Sequence, residues 1–218
     1  MTKRITLIHA LAGSVEPIRT AFEERWPEAR LCNLMDDSLS VDRANDGELT
    51  EAMIERFVRL TQYAVDTGSD GILFTCSAFH AAIDVARDGR EMPILKPDEA
   101  MMEAAVNLGS RIALLATFEP TLGTASAELK SVAEKLGKVV DVRTVHVDGA
   151  LKALQSGDPE THEKLIVEAA RSVEDVDVIT LAQFTMAPTA PSVEAEVSVP
   201  VLTTPGAAVD KLRQSLEA

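Results

Sequence analysis

Among side chains able to do nucleophilic or acid–base work, Cys76 stands in the most telling place. It follows the apolar run Gly71–Thr75, which reads as a buried strand, and it precedes Ser77, where a helix is predicted to begin. A thiol at a helix amino end meets unpaired backbone N–H groups and the positive end of the helix dipole, and both favour the thiolate. The competing reading of a free cysteine is a small buried hydrophobe, and it fits Cys32, which lies within a strand pattern. His9 closes the first predicted strand. An imidazole titrating near ~6.5 suits proton shuttling, although a hydrogen-bonded strand-end residue is the alternative. Asp36, Asp37 and His146 also follow predicted strands. The run Asp36-Asp37-Ser38 reads equally as a solvated, helix-capping turn. His80 and His162 fall in helical segments and read as surface or packing residues.

The elements that must position these groups alternate regularly. Strands are predicted at 4–9, 30–34, 71–75, 93–95, 111–117, 139–145, 178–182 and 200–202. Helices are predicted at 14–25, 47–66, 77–87, 98–107, 121–136, 159–173 and 206–216. The clearest helix carries Leu49, Met53, Phe57, Leu60 and Ala64 at three- and four-residue steps, which gives one apolar face. Such alternation, with strands apolar on both faces, marks parallel sheets flanked by helices. The arrangement also repeats: Arg4, Asp70 and Pro93 recur as Arg111, Asp177 and Pro200, an offset of 111 − 4 = 107 residues in every pair. Two open α/β halves imply a cleft, with ligands beyond the carboxyl ends of the strands where strand order reverses. In an order 2-1-3-4 that point falls at His9-Ala10 and Cys76-Ser77, and the offset assigns Ala116-Thr117 and Gln183-Phe184 as counterparts.

Composition bounds the partners. The 218 residues hold 21 basic and 35 acidic side chains, a net charge of −14. With no basic cluster, such a chain repels phosphate backbones and anionic lipid, so neither nucleic acid nor membrane is expected as a partner. No stretch approaches the roughly 18 apolar residues of a membrane span, and the amino terminus lacks a leader's greasy run. Two cysteines 44 residues apart suit a reducing, cytoplasmic setting and cannot form a four-thiolate zinc site. There is no GxGxxG after the first strand, no phosphate-binding GxxxxGK[ST] and no HExxH, so neither cofactor nor metal is expected.

The Thr75-Cys-Ser-Ala-Phe79 segment after an apolar strand, the Ala116-Thr-Phe-Glu-Pro-Thr121 loop and the duplicated halves resemble the aspartate/glutamate racemase superfamily. That group includes amino-acid and hydantoin racemases, maleate isomerase and arylmalonate decarboxylase. The resemblance implies two pseudo-symmetric flavodoxin-like α/β/α halves, each with a parallel four-stranded sheet, around an interdomain cleft. The first half is expected at 1–96 plus 205–218, the last helix returning to it, and the second at 97–204. The resemblance further implies catalysis without pyridoxal phosphate or metal, with one cysteine per half flanking a substrate carbon. Cys76 matches the first of these, and Gln183 stands where the second would be. A carboxamide does not titrate near neutrality, so Gln183 can orient a substrate but cannot be the second base of a two-base racemase. His9 is then the leading non-cysteine partner.

In resembling proteins the loops after these strands hold the substrate carboxylate, and here Ser77, Ala78, Thr117, Thr121, Phe184 and Thr185 occupy them, with Asp36 an additional candidate. Helix capping is the competing role for Thr117 and Thr121. The expected function is a cofactor-independent racemase or isomerase acting at the carbon alpha to a carboxylate through a single thiol. A one-cysteine decarboxylase or lyase and a non-catalytic small-acid binding protein are the alternatives. A small carboxylate-bearing substrate is the expected partner, and a homodimer the expected assembly.

Overall fold

The computed structural model describes residues 2–217. Eight strands and ten α-helices follow in the order β1 (Arg4–His9), α1 (Val15–Arg25), β2 (Arg30–Met35), α2 (Ser38–Asp46), α3 (Glu51–Asp66), β3 (Gly71–Phe74), α4 (His80–Arg87), β4 (Ile94–Leu95), α5 (Glu99–Leu108), β5 (Arg111–Ala116), α6 (Glu119–Lys135), β6 (Asp141–His146), α7 (Ala150–Gln155), α8 (Pro159–Arg171), β7 (Val178–Leu181), α9 (Ala190–Glu194), β8 (Val201–Thr203) and α10 (Thr204–Glu217). They form two compact units: residues up to Asp98 with those from Ala208 onward, and Glu99–Ala207. Each unit holds one all-parallel sheet, ordered β2-β1-β3-β4 in the first and β6-β5-β7-β8 in the second. Among the described residues no helix is long and apolar enough to cross a membrane.

The central strands β1, β3, β5 and β7 are buried beyond their first residues because helices cover both of their faces. In the first unit Leu39, Met53, Phe57, Phe79 and Ile83 from α2, α3, the turn before α4 and α4 pack on Ile8, Ile72 and Phe74. The Phe57 ring lies 5.2 Å from that of Phe74 and 4.8 Å from that of Phe79. On the opposite face Leu212 of α10 packs so close to Gly71 that a Cβ there would lie 3.0 Å from its methyl carbon. Arg25 of α1 pairs with Asp210 at 2.6 Å, and Arg213 donates to the Arg25 carbonyl, which ties the returning helix to the first unit. In the second unit α5 and α6 cover one face of the sheet, and α7 and α8 the other.

The 107-residue repeat is carried by matching hydrogen bonds. Asp70 N–H donates to Arg4 O and Asp177 N–H to Arg111 O, each at 2.7 Å. Likewise Ile72 N–H donates to Pro93 O at 2.9 Å, and Ile179 N–H to Pro200 O at 3.0 Å. At the amino edge of each sheet the carboxylate of that aspartate accepts the first N–H of the neighbouring strand, from Arg4 at 2.7 Å and from Arg111 at 2.9 Å. The Arg111 guanidinium holds the Asp177 carboxyl down to about 2. The polar residues that mark the repeat in sequence are therefore strand-start fasteners.

Three departures from the sequence expectations matter. No helix is expected from the sequence over residues 38–46, where α2 forms, and α7 and α9 are further helices not anticipated. At five to nine residues each, they are too short to show a sustained apolar period. The helix expected from Ser77 opens instead as a 3-10 turn over Ser77–Phe79, with α4 starting at His80.

Gly109 leads into β5 where a Cβ would fall 2.2 Å from Asp177 Cβ. Gly109→Ala is expected to displace that aspartate and destabilise the protein by about 1–3 kcal/mol in urea unfolding. Gly123→Ala, in open space on α6, serves as the control and is expected to be neutral or stabilising.

Candidate active site

Cys76 lies two residues beyond β3, at the carboxyl edge of the first unit's sheet, with extended backbone (φ −135°). Its partly buried sulfur accepts from the Ala78 N–H and lies against the Ser40 hydroxyl of α2. Ser40 also donates to the Ala10 carbonyl beyond β1 at 2.6 Å. The expected thiolate is not what this environment favours. Burial pushes the Cys76 thiol up, the Ala78 N–H and Ser40 hydroxyl pull it back only in part, and the Asp98 carboxylate pushes it further up. The physical reason is the 3-10 turn: a full helix start is four residues away, and desolvation outweighs the N–H it leaves at the sulfur. The resting sulfur is a thiol, a proton donor. Ser77 and Ala78, expected to line the site, are exposed beside it.

His9 is wholly buried, so it has no surface to offer a substrate. Its Nε2–H donates to Asn33 Oδ1 at 2.9 Å, and its Nδ1 accepts from the Thr75 hydroxyl at 2.8 Å. Ser14 Oγ sits 2.8 Å from the same threonine oxygen and donates to the Leu11 carbonyl. Burial holds the ring below the ordinary imidazole value of 6.5 against the opposing Asn33 bond. Neutral His9 is thus a strut between β1, β2 and the segment after β3.

Asp36 is likewise committed elsewhere. It accepts from the Arg56 guanidinium of α3 at 2.5 Å and from Ser38 at 2.9 Å. Burial would raise this carboxyl, yet those bonds hold it below the usual carboxylate range. It fastens α2 to α3. Asp37 occupies the amino end of α2, and His146 is exposed at the end of β6.

In the second unit Gln183 follows β7 as Cys76 follows β3. Its Oε1 accepts from both the Thr117 N–H (2.6 Å) and the Thr117 hydroxyl (2.9 Å). A backbone N–H can only donate, so the carboxamide oxygen must face Thr117 and the two Nε2 hydrogens are turned away from it. Thr117 is buried and spends its hydroxyl on this contact. Its service is to hold Gln183. Phe184 and Thr185 are half-buried in the 3-10 turn that follows, and the Thr185 carbonyl lies 3.4 Å from Nε2 of buried His162. Thr121, half-buried in the first turn of α6, donates its N–H to Phe118 O.

Sequence reasoning gave no functional role to four residues of the first unit, of which Ser40 and Asp98 act on the Cys76 sulfur. Ser40 and Arg43 share one face of α2, three residues apart. Among the described residues no partner meets the buried Nε of Arg43. Asp98 and His80 form the other pair, Nε2 to Oδ1 at 2.9 Å, with side chains 8% and 14% exposed respectively. A signal for Asp98 existed: Leu73 and Leu95 are register partners, and Cys76 and Asp98 each lie three residues further on. That signal needs the pairing of β3 with β4 before it can be read.

A family model described as Asp/Glu/hydantoin racemase matches residues 15–212. Allantoin racemase from Klebsiella pneumoniae superposes with a TM-score of 0.73 at 19% identity, covering 98% of this chain and 87% of that one. Aspartate racemase of Picrophilus torridus gives 0.69 at 16% identity, covering 99% and 94%. Unliganded arylmalonate decarboxylase gives 0.68 at 19% identity, covering 99% and 93%. These identities speak to the fold. No curated protein matches the chain in sequence.

Gln183→Leu strands the buried Thr117 N–H and is expected to cost about 1–3 kcal/mol, whereas Gln183→Glu keeps the acceptor and should cost less in the same denaturant titration. Because folded His9 binds its second proton less readily than the unfolded chain, its contribution is complete above 6.5 and is lost as pH falls through the lower folded value. The melting temperature should therefore drop below pH 6.5 more steeply for the wild type than for His9→Gln, as read by thermal scans across pH 5–8.

Proposed function

This chain belongs to the Asp/Glu/hydantoin racemase family, and from that premise we propose that it is a cofactor-independent enzyme working at the carbon alpha to a carboxylate, or to an imide carbonyl, of a small acid. Cys76 is its acid–base group. The observation that carries this reading is the partly buried thiol at the carboxyl edge of the first sheet, backed by the Ala78 N–H and the Ser40 hydroxyl. Arg43, with its unmet guanidinium nitrogen on the Ser40 face of α2, suits the substrate's carboxylate. Gln183, its oxygen pinned by Thr117, offers two amide hydrogens for orienting the substrate.

The reaction is one of charge management. Taking a proton from a carbon beside a carboxylate, or losing carbon dioxide from it, builds negative charge on the neighbouring oxygens. Preorganised N–H and O–H donors aimed there lower such a barrier by ~3–4 kcal/mol each. Ser77, Thr121, Phe184 and Thr185 are proposed to serve as such donors through backbone or hydroxyl hydrogens. Racemisation through two bases needs a titrating group on each face of the carbon. With Gln183 at the second position, the Cys76 thiol instead delivers its proton to one face of an enediolate.

The second reading, a one-cysteine decarboxylase or lyase, is favoured by one observation: burial raises the thiol, so the resting sulfur carries the proton that such a reaction must donate.

Incubation with amino acids, hydantoins and substituted malonates in deuterium oxide tests both readings. Exchange at the alpha carbon with inversion supports the isomerase and a second base, exchange with retention supports one-sided chemistry by the thiol, and label appearing only with loss of carbon dioxide supports the decarboxylase. Cys76→Ala is expected to lower either activity by at least about a thousandfold with the fold retained. Turnover undiminished in that variant removes the thiol from the mechanism. Ligands that raise the melting temperature with neither exchange nor decarboxylation make the protein a binder.

A further inference from the structure

The units close β1 and β5 with the same turn. After β1 the Ser14 N–H donates to the Leu11 carbonyl at 3.2 Å, and after β5 the Thr121 N–H donates to the Phe118 carbonyl at 3.0 Å. Both pairs keep the 107-residue offset. Leu11 (φ −151°) and Phe118 (φ −124°) have extended backbones, and the two residues are 55% and 50% exposed. One exposed apolar side chain needs no explanation. A large one at the same place in both halves of a repeat does, because water penalises each.

The turns adjoin the two candidate site residues. Ile8 and Phe74 are register partners, and the Thr75 N–H extends their ladder to the Ile8 carbonyl at 3.1 Å. Two residues past that pair stand Ala10 and Cys76, and Leu11 follows. The equal step past Leu115 and Leu181 in the second unit gives Thr117 and Gln183, which touch at 2.6 Å. Ser14 pins the first turn further. Its hydroxyl lies 2.8 Å from the Leu11 carbonyl and 2.8 Å from the hydroxyl of Thr75, the residue before Cys76. Leu11 therefore presents its side chain from a fixed backbone beside the thiol.

Charge limits what the substrate's substituent can be. At this edge Arg56 is taken by Asp36 and Asp42, and Lys96 by Asp84 at 2.7 Å. Neither residues 117–121 nor residues 183–189 include a lysine or arginine. Arg43, already matched to the carboxylate at the reacting carbon, leaves no cation for an acidic substituent, which would lose its water without recompense. We infer that Leu11 is a specificity-determining residue: it meets the substituent on the substrate's reacting carbon, and that substituent is an alkyl or aryl group. The inference rests on reading the Cys76 edge as the substrate site, but its test does not need turnover.

Titration calorimetry on Cys76→Ala protein reads binding free of turnover. The ligands are amino acids, hydantoins and malonates, each bearing a benzyl, a methyl or a carboxymethyl substituent. On the scaffold that binds best, the benzyl form should bind about tenfold more tightly than the methyl form and about a hundredfold more tightly than the carboxymethyl form. Adding Leu11→Asn should cut the benzyl-over-methyl preference by about fivefold. Val139→Asn, at an apolar residue 90% exposed just before β6, should leave that preference as it was. If Leu11→Asn loses its melting transition, Leu11→Ala decides in its place. A carboxymethyl form that binds as tightly as the benzyl form overturns the inference. So does a preference that the Leu11 variant leaves intact, and so does the absence of binding on all three scaffolds. A Leu11-dependent preference in a protein whose wild type shows neither exchange nor decarboxylation keeps the inference and sinks the proposed function. Turnover that favours an acidic substituent sinks only the inference.

Discussion

Backbone N–H groups just past a buried parallel strand have lost their ladder partners, and the side chains that satisfy them define both candidate sites. In the first unit the Ala78 N–H points at the Cys76 sulfur. In the second the Thr117 N–H points at the Gln183 oxygen. An unmet buried N–H would cost about as much as a lost hydrogen bond, so the buried Thr117 N–H selects a side chain that can accept, whereas the exposed Ala78 N–H has water as an alternative. A thiol and a carboxamide both meet the structural demand, but only the thiol can move a proton near neutrality. Equivalent places in a duplicated fold thus hold two very different chemistries.

The two edges of each sheet divide the labour. At the amino edges Asp70 and Asp177 accept strand-starting N–H groups, and Gly109 yields the room that Asp177 needs. At the carboxyl edges lie the sulfur, the pinned carboxamide and the half-buried turns. This follows the rule that open α/β sheets bind ligands beyond their strands' carboxyl ends. It also explains why the residues that reveal the repeat are not those that could do chemistry.

Electrostatics in the first unit runs against a simple helix-start thiolate. The chain is strongly acidic overall, with a net charge of −14. Around Cys76, however, the decisive influences are local: burial and Asp98 against one N–H and one hydroxyl. His9, which looked fit for proton transfer, is withdrawn into the core and held neutral, where it braces β1 and β2 and the segment carrying Thr75 and Cys76. Asp36 is claimed by Arg56. The polar groups closest to a reacting position by sequence are therefore mostly building material.

From the amino-acid order alone one could read the alternation of strands and helices, the 107-residue repeat, the two-sided burial of the central strands and the placing of Cys76 and Gln183 at strand ends. Those features follow from short-range periodicity and from repetition, which a linear pattern records in full. The short helix α2, the burial of His9, the raised thiol and the meeting of His80 with Asp98 depended on folding. Each arises from contacts between segments far apart in the chain. Exposure and charge environment belong to such contacts, and no residue carries them by its type or its neighbours in sequence.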